Sequence, residues 1–142
     1  MTIDLPREVP IYVAGHSGLA GSAVWRQLER AGFTNLTGWR SSEVDLRDRD
    51  ATHDAIHSSS PAVVVLAAAK VGGILANSQE PVDFLNDNVR IQTNVFEAAH
   101  DADVDRLLFL GSSCIYPKFA AQPIRESALL TGPLEPTNQA YA

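Results

Sequence analysis

The chain has 142 residues, 45% of them hydrophobic, and a formal net charge of −6, which is ordinary for a single globular domain. The lone cysteine cannot close an intrachain disulfide and the four histidines lack zinc spacing, so the sequence predicts no metal site and a cytoplasmic location. The chain has seventeen acidic and eleven basic residues, and this negative balance makes nucleic acid and anionic membranes poor predictions as binding partners. The longest apolar run, residues 62–69, is far shorter than the ~20 residues of a membrane-spanning helix.

The first elements in chain order are typical of half a βαβ unit. Residues 1–10 carry acids and prolines and are predicted to form a short N-terminal leader. A β-rich run over 11–14 leads into a glycine-rich turn, and a helix is predicted from there to Gly32, a typical C-terminal stop. The apolar residues of that helix recur at helical spacing: Leu19, Ala23, Val24 and Leu28. A weaker second strand is predicted over 35–39.

The later elements continue this alternation. A short helix over 48–57 is predicted, with the aspartate at 48 as its cap, and residues 62–69 are apolar throughout, as in a parallel strand buried on both faces. A long helix over 81–100 and a fourth strand over 106–110 follow, and the proline-rich stretch 111–142 is predicted to be a functional loop. The predicted inward stripe of the long helix consists of Val82, Leu85, Val89 and Phe96. The pattern predicts an α/β fold with a parallel, doubly wound sheet of Rossmann type.

The turn after the first strand contains three glycines in the spacing GxxGxxG. Gly15 would allow the tight turn, Gly18 would let backbone N–H groups approach a pyrophosphate, and Gly21 would let the helix pack close to the strand. A purely structural turn is the alternative. Because a strand precedes the glycines and a helix follows them, the position favours a dinucleotide site with phosphates at the helix N-terminus.

The residues after the second strand bear on the choice between NADP and NAD. An acidic residue there would bind the ribose hydroxyl of NAD, whereas a basic residue would accept the 2′-phosphate of NADP. The sequence places Trp39, Arg40, Ser41 and Ser42 at this point. The guanidinium group of Arg40 suits phosphate and favours NADP(H), with NAD and a merely solvated arginine as the alternatives.

Five segments resemble a known family. They are AGHSGLAGSA around the glycine turn, LAAAKVGGI at 66–74, NVRIQTNVFEAAH at 88–100, FLGSSCIYPK at 109–118 and EPTNQAYA at 135–142. Through them the chain resembles the extended short-chain dehydrogenases/reductases of the NAD-dependent epimerase/dehydratase superfamily, and among these the GDP-L-fucose synthase family. The segment after the fourth strand is the most specific of the five. The resemblance covers nearly the whole chain from residue 11.

The resemblance implies roles for individual residues. Ser112 would bind the reacting sugar oxygen, Cys114 would move protons during epimerisation, and Tyr141 would be the tyrosine of the YxxxK pair. An aspartate–leucine pair would contact adenine, two alanines would line the cofactor cleft and Asn88 would add a polar contact. Together, the pattern and the resemblance predict cofactor contacts at Gly15, His16, Ser17, Gly18, Leu19, Ala20, Gly21, Arg40, Ser41, Asp45, Leu46, Ala67, Ala68, Asn88, Leu110, Gly111 and Ser113.

The implied activity is the NADPH-dependent epimerisation and reduction of GDP-4-keto-6-deoxy-D-mannose to GDP-L-fucose. Family members often carry an arginine where this chain has Ser17, which makes the cofactor preference less secure. The sequence ends one residue after Tyr141, before the expected lysine, a second epimerisation histidine and the sugar-binding domain. Residues 11–142 are therefore expected to be the N-terminal part of the NADP-binding domain, inactive alone and without the helices of the family's homodimer.

Two other functions are compatible with the residues. The chain could be a non-catalytic module that binds a dinucleotide, or a partner through the open edge of its fourth strand. It could also be part of an NAD-dependent nucleotide-sugar epimerase or dehydratase. The non-catalytic module would bind the cofactor without turnover. Relative affinity for NADH and NADPH, and the effect of replacing Arg40 with alanine, distinguish the NAD-dependent enzyme.

Overall fold

A parallel four-stranded sheet is the centre of the fold. The computed structural model describes residues 5–139 and 141–142. The strands are β1 (Ile11–Ala14), β2 (Leu36–Thr37), β3 (Val63–Leu66) and β4 (Arg106–Phe109). Their order in the sheet is β2-β1-β3-β4, and every neighbouring pair is parallel. This arrangement confirms the predicted α/β fold of Rossmann type.

Four helices connect or follow these strands in the described part of the chain. They are α1 (Leu19–Arg30), α2 (Arg49–Ser59), α3 (Ile74–Gln79) and α4 (Pro81–Asp101). Three 3₁₀ turns follow β4, at Ser113–Ile115, Glu126–Ala128 and Pro136–Asn138. The sequence did not predict α3, because six residues are too few to show a helical period. Over the residues described, no helix is both long and apolar enough to cross a membrane.

The chain forms two compact units. Among the described residues, the first comprises 5–69 and 89–110, and the second comprises 70–88, 111–139 and 141–142. The first unit contains the sheet, with α1 and α2. The second contains α3 and the three 3₁₀ turns, and α4 has residues in both. The predicted loop over 111–142 is confirmed as a stretch with no long helix or strand among its described residues.

Alternate side chains of β1 and β3 point to opposite faces of the sheet in the first unit. One buried cluster contains Tyr12, Ala14, Val64 and Leu66 with residues of α2 and α4, and the other contains Ile11, Val13 and Val65. Val24, Trp25 and Leu28 of α1 pack against the second cluster. Because both faces are covered, β1 and β3 are apolar throughout, as the sequence predicted for the third strand. β3 is shorter than predicted, since it spans Val63–Leu66 and not 62–69.

The ends of α1 and α2 follow the sequence signals. The Asp48 side chain accepts a hydrogen bond from Ala51 N at 3.0 Å, which confirms the predicted cap of α2. Gly32, the predicted stop of α1, lies just beyond that helix with φ of 88°, a left-handed conformation that favours glycine. The second strand is shorter than predicted. It ends at Thr37, and Gly38 passes so close to the glycine turn that a Cβ there would lie 2.7 Å from His16 Nδ1.

The predicted inward stripe of α4 is wrong. Its four residues are 37–73% exposed, and the helix instead buries Phe84, Val95, Ala98 and Ala99. Apolar residues occur on both sides of α4, so helical periodicity alone cannot identify the buried side, and small alanines let the helix approach its neighbours closely. In α1, two of the four apolar residues that recur at helical spacing are exposed, since Leu19 is 94% exposed and Ala23 is also exposed.

The described part of the predicted leader packs onto the first unit, while residues 1–4 lie outside the described residues. The backbone carbonyl of Arg7 accepts a hydrogen bond from Thr34 N at 3.0 Å, and the guanidinium group of Arg7 lies over the Phe33 ring. Val9 packs against the same cluster as α1. The last strand in the sheet order, β4, is an edge strand whose apolar residues are 37–53% exposed.

Candidate functional site

The glycine turn lies at the carboxyl end of β1, against the segment that follows β3. Gly15 has φ of 83°, and a Cβ there would lie 2.8 Å from the backbone of Ala68. A Cβ on Gly21 would lie 2.0 Å from the Gly15 carbonyl oxygen. Ala67 N donates a hydrogen bond to Ala14 O at 2.9 Å, which holds the two strand ends side by side. The structure therefore brings together the glycine turn and the two alanines that the resemblance placed in the cofactor cleft.

The N-terminus of α1 is open. Gly18 is its N-cap, and among the described residues no side chain caps it. Ser17, Gly18, Leu19 and Ala20 are all exposed. A helix start without a cap has free N–H groups and the positive end of the helix dipole, which together suit a phosphate group.

His16 is placed inside the turn. Its ring packs on Trp25, with 5.3 Å between centroids, and its Nδ1 is buried without a hydrogen-bond partner in the described part of the structure. Gly38 lies against this nitrogen. The packing connects the glycine turn to the residues that follow β2.

A tight turn follows β2 and orients Arg40. The carbonyl of Arg40 accepts hydrogen bonds from Glu43 N and Val44 N, at 2.9 and 3.0 Å, and its N–H donates to Glu43 Oε2 at 2.8 Å. Arg40 and Ser41 are exposed. Glu43 was not among the residues predicted at this strand end, and the turn folds it back onto Arg40. The spacing of three residues, typical of a turn, was the available signal.

The aspartate–leucine pair that follows is tied to its neighbours. Arg47 donates to Asp45 through Nε at 2.9 Å and Nη2 at 2.8 Å, and its backbone N–H adds a third bond at 3.0 Å. These hydrogen bonds lower the pKa of the Asp45 carboxyl, and those from the Arg47 side chain have a larger effect than the one from its backbone. Asn94 of α4 donates to Leu46 O at 2.9 Å. An adenine contact by this pair stays a prediction, and it must share the carboxylate with Arg47.

In the second unit, Asn88 binds the backbone just after β3. Its Oδ1 accepts from Lys70 N at 2.8 Å, and its Nδ2 donates to Lys70 O at 2.9 Å and to Phe84 O at 2.8 Å. Lys70 Nζ lies 3.2 Å from Asp87 Oδ2. The side chain predicted to contact the cofactor is thus occupied by backbone groups.

Two of the three proposed catalytic side chains lie together in the second unit. Ser112 caps the first 3₁₀ turn, and its Oγ accepts a hydrogen bond from Cys114 N at 3.1 Å. Asn138 Nδ2 approaches Cys114 Sγ at 3.8 Å, a contact that was not predicted from the sequence. Tyr141 is half-buried and makes no hydrogen bond with either residue in the described part of the chain. Ser113 is exposed within the same turn.

The remaining predicted residues lie at the end of β4. Leu110 N, in the first unit, donates to Leu66 O at 3.0 Å and extends the pairing of β4 with β3. Gly111 begins the second unit, and a Cβ there would meet nothing within 4 Å. The histidine and aspartate side chains in the described residues form no group of three or more that could hold a metal ion.

The chain is similar to several known proteins. It is 54% identical over 136 residues to GDP-L-fucose synthase 1 of Arabidopsis thaliana, covering 96% of this chain and 42% of that protein. It is 53% identical over 132 residues to GDP-L-fucose synthase of Escherichia coli, covering 93% of this chain and 41% of that protein. It therefore spans about two fifths of the length of the curated relatives it matches.

A solved structure and a protein-family model are also similar to this chain. A solved GDP-mannoheptose C4 reductase of Campylobacter jejuni with NADP bound superposes with a TM-score of 0.91 at 33% identity, covering 97% of this chain and 44% of that one. The NAD-dependent epimerase/dehydratase family model matches residues 11–142. Because that match extends over almost the entire chain, the protein belongs to the NAD-dependent epimerase/dehydratase family.

Proposed function

We propose that residues 11–142 are part of the NADP-binding domain of an enzyme that epimerises and reduces GDP-4-keto-6-deoxy-D-mannose to GDP-L-fucose. The observation that carries this proposal is the glycine turn, where Gly15 and Gly21 leave no room for a Cβ and the start of α1 is uncapped. Such a turn lets a pyrophosphate reach the backbone N–H groups at the carboxyl end of the first strand. The substrate follows from the similarity to two GDP-L-fucose synthases.

NADP is favoured over NAD by Arg40. Its backbone is held in the turn after β2, and its exposed guanidinium forms no ion pair with any described residue. An arginine at this strand end can bind the 2′-phosphate with two parallel hydrogen bonds. The similar reductase of known structure contains NADP, which supports the same choice.

The chemistry is proposed for three side chains of the second unit. Ser112 would donate a hydrogen bond to the oxygen on C4 of the sugar, which stabilises charge as protons leave C3 and C5. Cys114 would be one of the two acid/base groups of the epimerisation and would exchange a proton with carbon on one face of the sugar, with Asn138 beside its sulfur. The histidine that the family resemblance implies would serve the opposite face. Tyr141 would protonate the C4 oxygen during reduction. NADPH, when bound, supplies the hydride for that reduction.

The setting of the enzyme is also a proposal. A cytoplasmic location follows from the lone cysteine, which needs no oxidising compartment. A GDP-sugar is the proposed substrate, and the homodimer implied by the family resemblance is the proposed assembly. Gel filtration of the expressed protein at several concentrations tests the dimer, since a dimer that dissociates changes its elution volume on dilution.

Equilibrium titration with NADPH and NADH tests the cofactor. We expect the chain to bind NADPH more tightly, and Arg40→Ala to weaken NADPH binding about tenfold or more while leaving NADH affinity unchanged. Arg30→Ala, which removes an exposed arginine at the end of α1, is the matched control. Equal affinities for the two cofactors in the unsubstituted chain would contradict the proposal.

Glu43 favours a second candidate function, an NAD-dependent epimerase or dehydratase of the same family. Its carboxylate accepts a hydrogen bond from the backbone N–H of Arg40. The same carboxylate could accept one from the ribose 2′-hydroxyl of NAD. This candidate predicts tighter NADH binding and a loss of that affinity in Glu43→Gln. The first candidate predicts that Glu43→Gln leaves NADPH affinity unchanged or improves it, because a negative charge near the 2′-phosphate is removed.

A further inference from the structure

The loop over residues 70–73 follows β3 and belongs to neither a helix nor a strand. Its backbone is held by side chains of α3 and α4 in the second unit. Asn88 makes three hydrogen bonds of 2.8–2.9 Å, one to Lys70 N, one to Lys70 O and one to Phe84 O. The Asn88 side chain thus forms hydrogen bonds with both the backbone N–H and the carbonyl of Lys70, the first residue of the loop.

The hydrogen-bonding capacity of Asn88 is largely used by these contacts. A side-chain amide has two N–H donors, and both are directed at backbone carbonyls, of Lys70 and of Phe84. To donate to a cofactor, Asn88 would have to release one of them. If Asn88 released Lys70 O, this carbonyl would need another donor, at a cost of about 1–3 kcal/mol if it stayed buried.

The rest of the loop is held in a similar way. Asn77 is buried, and its Nδ2 donates to Gly72 O at 3.0 Å and to Gly73 O at 3.1 Å. The buried ring of Phe84 fills the space beside Gly72, where a Cβ would lie 2.7 Å from the ring. Side-chain amides from two helices therefore replace the backbone hydrogen bonds that a regular element would provide.

The side chain of Lys70 is fixed as well. Its ammonium group lies 3.2 Å from Asp87 Oδ2 and 5.2 Å from the centroid of the Phe84 ring. The carboxylate is only 14% exposed, which makes the pair less screened by solvent than an ordinary surface ion pair. Backbone and side chain of Lys70 are thus both anchored to the same two turns of α4.

We propose that Asn88 is a positioning residue that fixes the loop over 70–73, and not a direct ligand of the dinucleotide. The proposal rests on the proposed NADP-binding function, because the loop continues the chain from the strand end at which that cofactor would bind. In doubly wound sheets, ligands bind at the carboxyl ends of the strands, and residues 70–73 continue the chain from that end of β3. A loop held in advance lowers the ordering cost of binding.

Hydrogen exchange in the unsubstituted chain tests the proposal without any variant. By NMR, the side-chain NH₂ of Asn88 is expected to be protected from exchange before any cofactor is added, because both hydrogens are already bonded. The side-chain NH₂ of Asn86, an exposed residue of the same helix, is the internal control and is expected to exchange freely. Protection of Asn88 that arises only after NADPH is added would overturn the proposal.

Substitution of Asn88 tests the effect on the site. Asn88→Ala is expected to speed exchange of the Lys70 backbone amide about tenfold and to weaken NADPH binding. Asn77→Ala, which releases the other end of the loop, is expected to weaken NADPH binding too, although it leaves Asn88 in place. Asn86→Ala is the matched control and should change neither quantity.

The outcomes separate this inference from the proposed function. If the unsubstituted chain binds no NADPH, the proposed function fails, while exchange at Asn88 and Lys70 still decides whether the loop is held by Asn88. If Asn88→Ala weakens NADPH binding but Lys70 exchange is unchanged, Asn88 is a ligand and the inference is wrong. If Lys70 exchange rises but NADPH affinity stays the same, the contact is only structural and the inference is again wrong.

Discussion

Because Gly21 has no side chain, the first helix can pack directly against the backbone of the turn that follows the first strand. The carbonyl oxygen of Gly15 lies only 2.0 Å from the point where a Cβ on Gly21 would stand. The neighbouring atoms are backbone atoms, which cannot move aside as a flexible side chain would. The spacing of glycines in the sequence was therefore a sufficient signal for this part of the site, because close backbone approach has few other solutions.

We expect Gly21→Ala to lower the free energy of unfolding by about 3 kcal/mol, since the added methyl must push the start of α1 away from the turn. Urea denaturation followed by circular dichroism measures this change. Gly111→Ala is the control, because a Cβ there meets nothing within 4 Å. Similar stabilities for the two variants would contradict the packing argument.

Other residues of the candidate site could not be found in this way. Glu43 reaches Arg40 only because a turn folds the chain back, and Asn138 reaches Cys114 from 24 residues further along the chain. Asn77 lies in a helix too short to be predicted. Contacts such as these depend on the path of irregular segments, which local propensity does not specify.

At the scale of the element, α4 shows where periodicity is insufficient. Its length and its start at Pro81 were predicted from the sequence, and both are confirmed. Its buried side was not, because valine, leucine and phenylalanine also occupy the exposed side. Packing against the sheet selects the side with Val95, Ala98 and Ala99, where small residues allow close approach.

The same substitution on the two sides of α4 tests this assignment. Val95→Ala is expected to lower the free energy of unfolding by about 2 kcal/mol, because two methyl groups are removed from a fully buried position. Val89→Ala, at a residue that is 51% exposed, should change it little. Thermal or urea denaturation measures both, and a larger effect at Val89 would restore the stripe predicted from the sequence.

At the scale of the whole molecule, the free energy of unfolding depends on the ionisation of one phenol that is buried in the sheet. Tyr12 of β1 is 1% exposed and packs on Trp39, and burial raises its pKa to about 12 from an ordinary value near 10. The folded state thus favours the protonated phenol. This contribution to stability is fully present below pH ~10 and is lost as the pH rises towards ~12.

The expected loss is about 2 kcal/mol between pH ~9 and ~12, from a shift of about two pKa units. Urea denaturation of the unsubstituted chain and of Tyr12→Phe across this range measures it. As the pH rises, the unfolding free energy of the unsubstituted chain should fall by about 2 kcal/mol more than that of Tyr12→Phe, because only the unsubstituted chain carries the phenol. A difference that does not vary with pH would show that Tyr12 ionises as easily in the folded chain as in the unfolded one.

Sequence patterns predicted the succession along the chain of the four strands and of α1, α2 and α4, and also the glycine turn, the cap of α2, the end of α1 and the family. Each of these depends on neighbouring residues or on a motif, so the information is local. The tertiary structure alone decided which side of α4 is buried, that Glu43 meets Arg40, and that Asn88 holds the loop after β3. These features join residues that are distant or irregularly connected, and their geometry is set by the packing of one element on another.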